Sequence, residues 1–138
     1  MDQYLHDLII HTKGFSIHLI TRDVEKVVGD RGLSNGLCQL SVLHTSASLL
    51  IQENASSDVQ RDIVRFLDTL APMESGRYEL DLEGLDDMPA HLKTALTQTH
   101  LRLSVRDSQL VLGAWQGIFL LEHRTLGSRR HVHVHLVG

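Results

Sequence analysis

This 138-residue chain holds one cysteine, two prolines, one tryptophan and 4% aromatic residues in all. Cys38 has no partner, so an intrachain disulfide and a paired-cysteine zinc ribbon are both excluded. Few prolines leave most of the backbone free to enter regular structure. No run of about 18 apolar residues occurs, which excludes a membrane-spanning helix. Positive charge is also short. The formal net charge of -4 supplies no basic field to gather nucleic acid. The start, Met1-Asp-Gln-Tyr-Leu-His-Asp7, lacks the charged-then-apolar pattern of a secretory signal, and a cytoplasmic location is expected. Also missing are a glycine-rich phosphate loop, a dinucleotide fingerprint and the Gly-x-Ser-x-Gly elbow of serine hydrolases.

The residue in excess is histidine, with ten copies. Histidine titrates near neutrality and is the commonest metal ligand, but its meaning depends on position. The length and the 42% apolar content fit a single domain over residues 1–138 with a real core. Strands are expected at 5–12, 15–21, 37–44, 49–51, 101–105, 109–113, 117–123 and 131–137. Helices are expected from Thr21 (as cap) to Gly29, from Ser57 to Pro72, and from Asp86 to Leu96. Strands that mostly follow one another through short turns predict an α+β fold: one compact domain of mostly antiparallel sheet, with about three helices on one side.

Polar groups at the ends of apolar strands mark the candidate site. Cys38, Leu40 and Val42 alternate toward the core, and His44 falls in phase with them. In His44-Thr-Ser-Ala-Ser48, a persisting strand sets His44, Ser46 and Ser48 on one face. Residues two apart on a strand are not aligned for proton transfer, so a ligand role for His44 outweighs a serine nucleophile. Asp87 and His91 share a helix face one turn apart. They suit a metal, an acid–base pair or an oriented imidazole, equally with a solvated helix start. Trp115 either stacks on a ring or packs in the core. Glu122 is in phase with Ile118 and Leu120, where a carboxylate is paired, a metal ligand or a base. In His131-Val-His-Val-His135 the valines read as the buried face and the imidazoles as the wet one. Arg124, Arg129 and Arg130 flank a turn, a weak signal for phosphate.

Three segments together carry a resemblance: His44-Thr-Ser-Ala-Ser-Leu-Leu-Ile-Gln-Glu-Asn54, Asp86-Asp-Met-Pro-Ala-His91, and Gly113-Ala-Trp-Gln-Gly-Ile118 with Glu122-His-Arg124. In this order the chain resembles the YjbQ-like family, the secondary thiamine-phosphate synthases, over nearly its full length. Where the family has Gly-Thr-Trp-Gln, this chain has Ala114 in place of Thr, so any ligand contact made by that hydroxyl is lost here. The resemblance implies a YjbQ-like fold, a homotrimer, and a pocket lined by His44, Thr45, Ser46, Asn54, Asp87, His91, Trp115, Gln116 and Glu122. It implies a weak transferase activity that joins a pyrimidine diphosphate to a thiazole phosphate and releases pyrophosphate.

On that footing His44, Asp87, His91 and Glu122 are expected to be catalytic. Thr45, Ser46, Asn54, Trp115 and Gln116 are expected to bind a phosphorylated small molecule. His44, Asp87 and His91 are candidate ligands for a divalent metal, zinc or magnesium; two imidazoles favour the softer ion, whereas diphosphate chemistry favours magnesium. The competing readings are a non-catalytic trimeric binder of a small ligand or metal, and a metal-assisted hydrolase with Glu122 as base.

Overall fold

Two antiparallel sheets share a core, and the computed structural model describes all residues from Met1 to Gly138. The elements in order are β1 (Gln3–His11), β2 (Ser16–Leu19), α1 (Thr21–Arg31), β3 (Gly36–Val42), β4 (Ala47–Glu53), α2 (Ser57–Leu70), α3 (Asp87–Leu96), β5 (His100–Arg106), β6 (Gln109–Leu110), β7 (Gln116–Glu122) and β8 (Arg129–Val137). The larger sheet runs β1-β8-β3-β5-β6, and the smaller runs β2-β7-β4. The α+β expectation therefore holds, with three helices.

Alternation builds the layers. Cys38, Leu40 and Val42 on β3, Leu103 and Val105 on β5, and Val132, Val134 and Leu136 on β8 face inward from the larger sheet. They meet Ala47 and Leu49 of β4, Ile118 and Leu120 of β7, and Val24, Val27 and Val28 of α1. The opposite face of the smaller sheet, with Phe119, Leu121 and Leu50, is covered by Ile63 and Leu67 of α2. Hence the helices do not share one side. The reason is that β7 is apolar on both faces and needs cover on both. On β8 the three imidazoles lie on the outer face, where His133 Nδ1 is 2.9 Å from Asp7 and His135 Nε2 is 2.8 Å from Gln3.

Some boundaries differ from the sequence expectation. β3 stops at Val42: the Leu43 N–H still bonds the His131 carbonyl of β8, and from there the chain crosses to the smaller sheet. His44 thus sits in a connection, and no strand carries it in phase with Ser46 and Ser48. Thr21 does not cap α1; its hydroxyl accepts the Ile118 N–H and ties the helix start to β7. Asp86 does not cap α3 through its side chain either, since Arg124 and Thr125 take its carboxylate. β6 has only two residues. The turn before it places Asp107 and Ser108 at φ 52° and 64°, the positive pair a tight hairpin requires.

Candidate functional site

The β4–β7 pair determines which motif residues meet. Its antiparallel register sets Ala47 beside Glu122 at one end and Glu53 beside Gln116 at the other. Six residue steps at ~3.3 Å each separate those ends by about 20 Å. His44, Thr45 and Ser46 precede β4, so they gather at the Glu122 end. Asn54 follows β4 and gathers with Trp115 and Gln116, its N–H donating to the Trp115 carbonyl at 2.8 Å. Within one chain the motif residues therefore form two groups at opposite ends of the sheet.

At the first end α3 docks onto the segment before β4. His91 Nδ1 donates to the Thr45 carbonyl at 2.9 Å, and its Nε2 lies 3.4 Å from Asp87 Oδ1. Asp87 is buried and receives Arg124 Nη1 at 2.9 Å. Arg124 also grips Asp86 through Nε at 2.8 Å. Burial alone would raise the Asp86 carboxyl, but the bonds from Arg124 and Thr125 outweigh it and hold it down to about 2. The His44 Nε2 accepts the His131 N–H at 2.8 Å, so its proton sits on Nδ1. Burial, then the charges of Arg130 and His131, depress the His44 imidazole and favour its neutral form, with Glu122 opposing.

Glu122 lies in phase with Ile118 and Leu120, as its place in the strand predicts, and closes the end of the core. Arg130, inward on β8 with Val132 and Val134, donates Nε to Glu122 Oε1 at 2.8 Å and Nη2 to Oε2. The Thr12 hydroxyl donates to Oε1 at 2.6 Å, and the Arg124 N–H to Oε2 at 3.1 Å. Burial pushes the Glu122 carboxyl up, but these donors and the Arg130 charge bring it below the usual range. Both oxygens are engaged and the side chain is sealed from solvent. The expected role of Glu122 as base, or as metal ligand, does not fit this environment; it is the anion that bolts the two sheets together. Arg130 also binds Ser46, at 3.1 Å from both its carbonyl and its hydroxyl.

The expected metal set is not assembled in one chain. No three His, Cys, Asp or Glu side chains are grouped to hold an ion. The donors explain why: His44 Nε2 is occupied by a backbone N–H, and the Asp87 charge is answered by Arg124. At the second end, Trp115 is 69% exposed, a costly placement for an indole with nothing to cover it. Gln116 Oε1 accepts the Gly113 N–H at 2.7 Å, which leaves its amide NH₂ free to donate. Behind it Gly117 packs closely, and a Cβ there would lie 2.9 Å from Leu19 and 3.1 Å from Asn54, so both side chains would have to shift. None of the five principal cavities is lined by His44, Asp87, His91, Trp115 or Gln116.

Sequence reasoning missed two buried groups. His123 faces α2 from β7, its Nε2 2.8 Å from the Ser48 hydroxyl, which Thr97 contacts at 2.6 Å. Burial, then the nearby Lys93 charge, lowers His123 to about 4. Lys93 is itself buried on α3 and paired with Asp68. The signal for His123 was its phase with Phe119 and Leu121.

A two-sheet α+β chain carrying these three segments defines a small-domain class with a polar, split site. Its sequence matches the family described as UPF0047 protein YjbQ-like over residues 6–138, and the chain belongs to that family. It is 46% identical to a UPF0047 protein of Synechocystis sp., covering 99% of this chain and 92% of that one. It is 39% identical to UPF0047 protein YjbQ of Escherichia coli O157:H7, covering 98% of both. Among solved structures, a YbjQ-like protein of unknown function from Sulfolobus solfataricus superposes with a TM-score of 0.90 at 28% identity, covering 99% and 98%. A conserved hypothetical protein from Thermus thermophilus gives 0.85 at 36% identity, covering 96% and 99%.

Proposed function

We propose that the chain is a small-molecule transferase of the thiamine-phosphate-synthase type whose site is completed between copies in a homotrimer. One observation carries the reading: the motif side chains divide between the two ends of the β4–β7 pair, about 20 Å apart by strand geometry. Of the motif residues only Glu122 borders a principal cavity, a space of about 20 Å³. Trp115 lies exposed at one end, and the His44–Asp87–His91 group lacks an aromatic wall at the other. A neighbour's Trp115 end set against this group unites them, as a closed ring of heterologous contacts allows.

In the reaction the thiazole nitrogen attacks the methylene carbon of the pyrimidine diphosphate. A nitrogen–carbon bond forms, the carbon–oxygen bond breaks, and its electron pair leaves on pyrophosphate. His44 Nδ1–H supplies a donor to the leaving oxygens, with the Thr45 and Ser46 hydroxyls beside it, and His91, its Nδ1–H on the Thr45 carbonyl, holds that segment in place. Asp87 and the Thr45 carbonyl orient His91. Trp115 stacks on the pyrimidine, while the free amide of Gln116 and the Asn54 side chain bond its edge. The donors of one chain do not fit a bound metal, because His44 Nε2 and Asp87 are already engaged.

Mixed oligomers test this. His91→Ala and Trp115→Ala chains, each inactive alone, are co-expressed and assayed for thiamine phosphate formation. Random assembly of a ring leaves about a quarter of the sites with both residues intact, so about a quarter of wild-type activity returns. If the mixture stays inactive, the shared site is wrong. If the wild-type protein makes no thiamine phosphate, the reaction is wrong, and retention of both substrates without turnover favours a binding module.

A further inference from the structure

A groove between β2 and α2 lies apart from the motif residues. It encloses about 370 Å³ and is lined by Phe15, Ile17 and Val64, with Arg61 and Arg65 one helical turn apart. That volume lies within the range of small-molecule sites. Phe15, Ser16, Ile17 and Val64 also line a second, deeper cavity of about 20 Å³, walled by Lys93, Asp68 and His123. The inner space holds about one water molecule.

Lys93 is the unusual feature. Its side chain is only 4% exposed, yet Asp68 is its one hydrogen-bond partner. The ammonium lies 4.9 Å from the centroid of the Phe15 ring. An ammonium has three donors. The carboxylate uses one and the ring face satisfies a second, which leaves a buried donor in want of an acceptor. The acidic groups at hand are committed, Glu122 to Arg130 and Asp68 to Lys93. At the rim Arg61 holds Asp58, while Arg65 has no carboxylate partner. The spare charge is positive, and the walls are apolar.

We infer that this groove binds a small organic phosphate, its apolar or aromatic body against Phe15 and Val64 and its phosphate on the arginine rim, linked to Lys93 through one water in the inner cavity. The unpaired Arg65, with the Arg61 guanidinium one turn away, suits a dianion with three terminal oxygens better than a carboxylate. The outer groove shares no residue with the motif site; of the motif residues only Glu122 borders the inner cavity, and its carboxylate is held by Arg130. The inference does not depend on the proposed reaction.

Phenyl phosphate is the probe, titrated into the full chain and followed through the NMR signals of the His123 and Phe15 rings. Inorganic phosphate and benzyl alcohol are the controls. Saturable binding is expected, at least about tenfold tighter than either control. Arg61→Gln/Arg65→Gln, which alters only exposed helix positions, weakens it about tenfold without changing the unfolding midpoint. His91→Ala leaves it unchanged. Absent saturation, equal binding by the arginine variant, or loss of binding in His91→Ala each overturns the inference; the last places the phosphate at the motif site instead.

Discussion

Glu122→Gln removes the anion from a sealed ion pair and leaves its cation behind. Four donors converge on the carboxylate: Arg130 Nε and Nη2, the Thr12 hydroxyl and the Arg124 N–H. The amide keeps the shape but turns one acceptor into a donor facing Arg130. Breaking a buried pair by removing one partner costs about 3–5 kcal/mol, chiefly because the other charge stays desolvated. For a chain of this length the unfolding entropy puts that at roughly 10–17 °C in Tm. Urea unfolding at pH 7 measures it. Arg130→Met should cost a similar amount, and the double variant far less than the two together, since the strongest penalty vanishes when both charges go. Additive losses, or a Glu122→Gln loss below about 1 kcal/mol, would refute the claim that the pair is a coupled unit. The pH dependence has a fixed sign. The folded carboxyl titrates below its ordinary value, so its contribution is complete above the unfolded pKa of about 4.3. It is lost as pH falls through the lower folded value.

His123 titrates near about 4 in the fold and about 6.5 unfolded, so between those values the unfolded chain binds the extra proton and stability falls as pH falls. The contribution is on the order of 3 kcal/mol, and His123→Gln should flatten the urea midpoint between pH 7.5 and pH 4.5; an unchanged slope contradicts the assignment. Cys38 is buried and its thiol is pushed up to about 12 by desolvation. Labelling by a disulfide reagent should therefore follow the rate of unfolding, and rapid labelling of the native protein would show the β3 core to be open.

Much of the architecture was legible because the strands alternate cleanly. The phase of Glu122 with Ile118 and Leu120 marked its inward direction from sequence alone. Arg130 carried the same signal, standing in step with Val132, Val134 and Leu136. Its neighbours Arg124 and Arg129 made it look like part of a solvated turn. The structure disperses that trio: Arg130 to Glu122, Arg124 to Asp86 and Asp87, Arg129 to an exposed strand end. His44 was misplaced because local alternation cannot show where a chain leaves one sheet for another. The division of the motif residues was hidden for a related reason. Each segment shows which residue types occur together, but only the β4–β7 register decides at which end they sit.

One consequence follows from the adjacency of Glu122 and His123. A strand with apolar residues on both faces has little to choose between two sliding alignments, because either buries as much oil. Here a slip that brings the neutral imidazole of His123 to the guanidinium of Arg130 would carry the Glu122 carboxylate into the apolar place of Leu121, against Leu67. The terminal dipeptide thus works as an electrostatic key that admits one alignment of the central strand and rejects its neighbour.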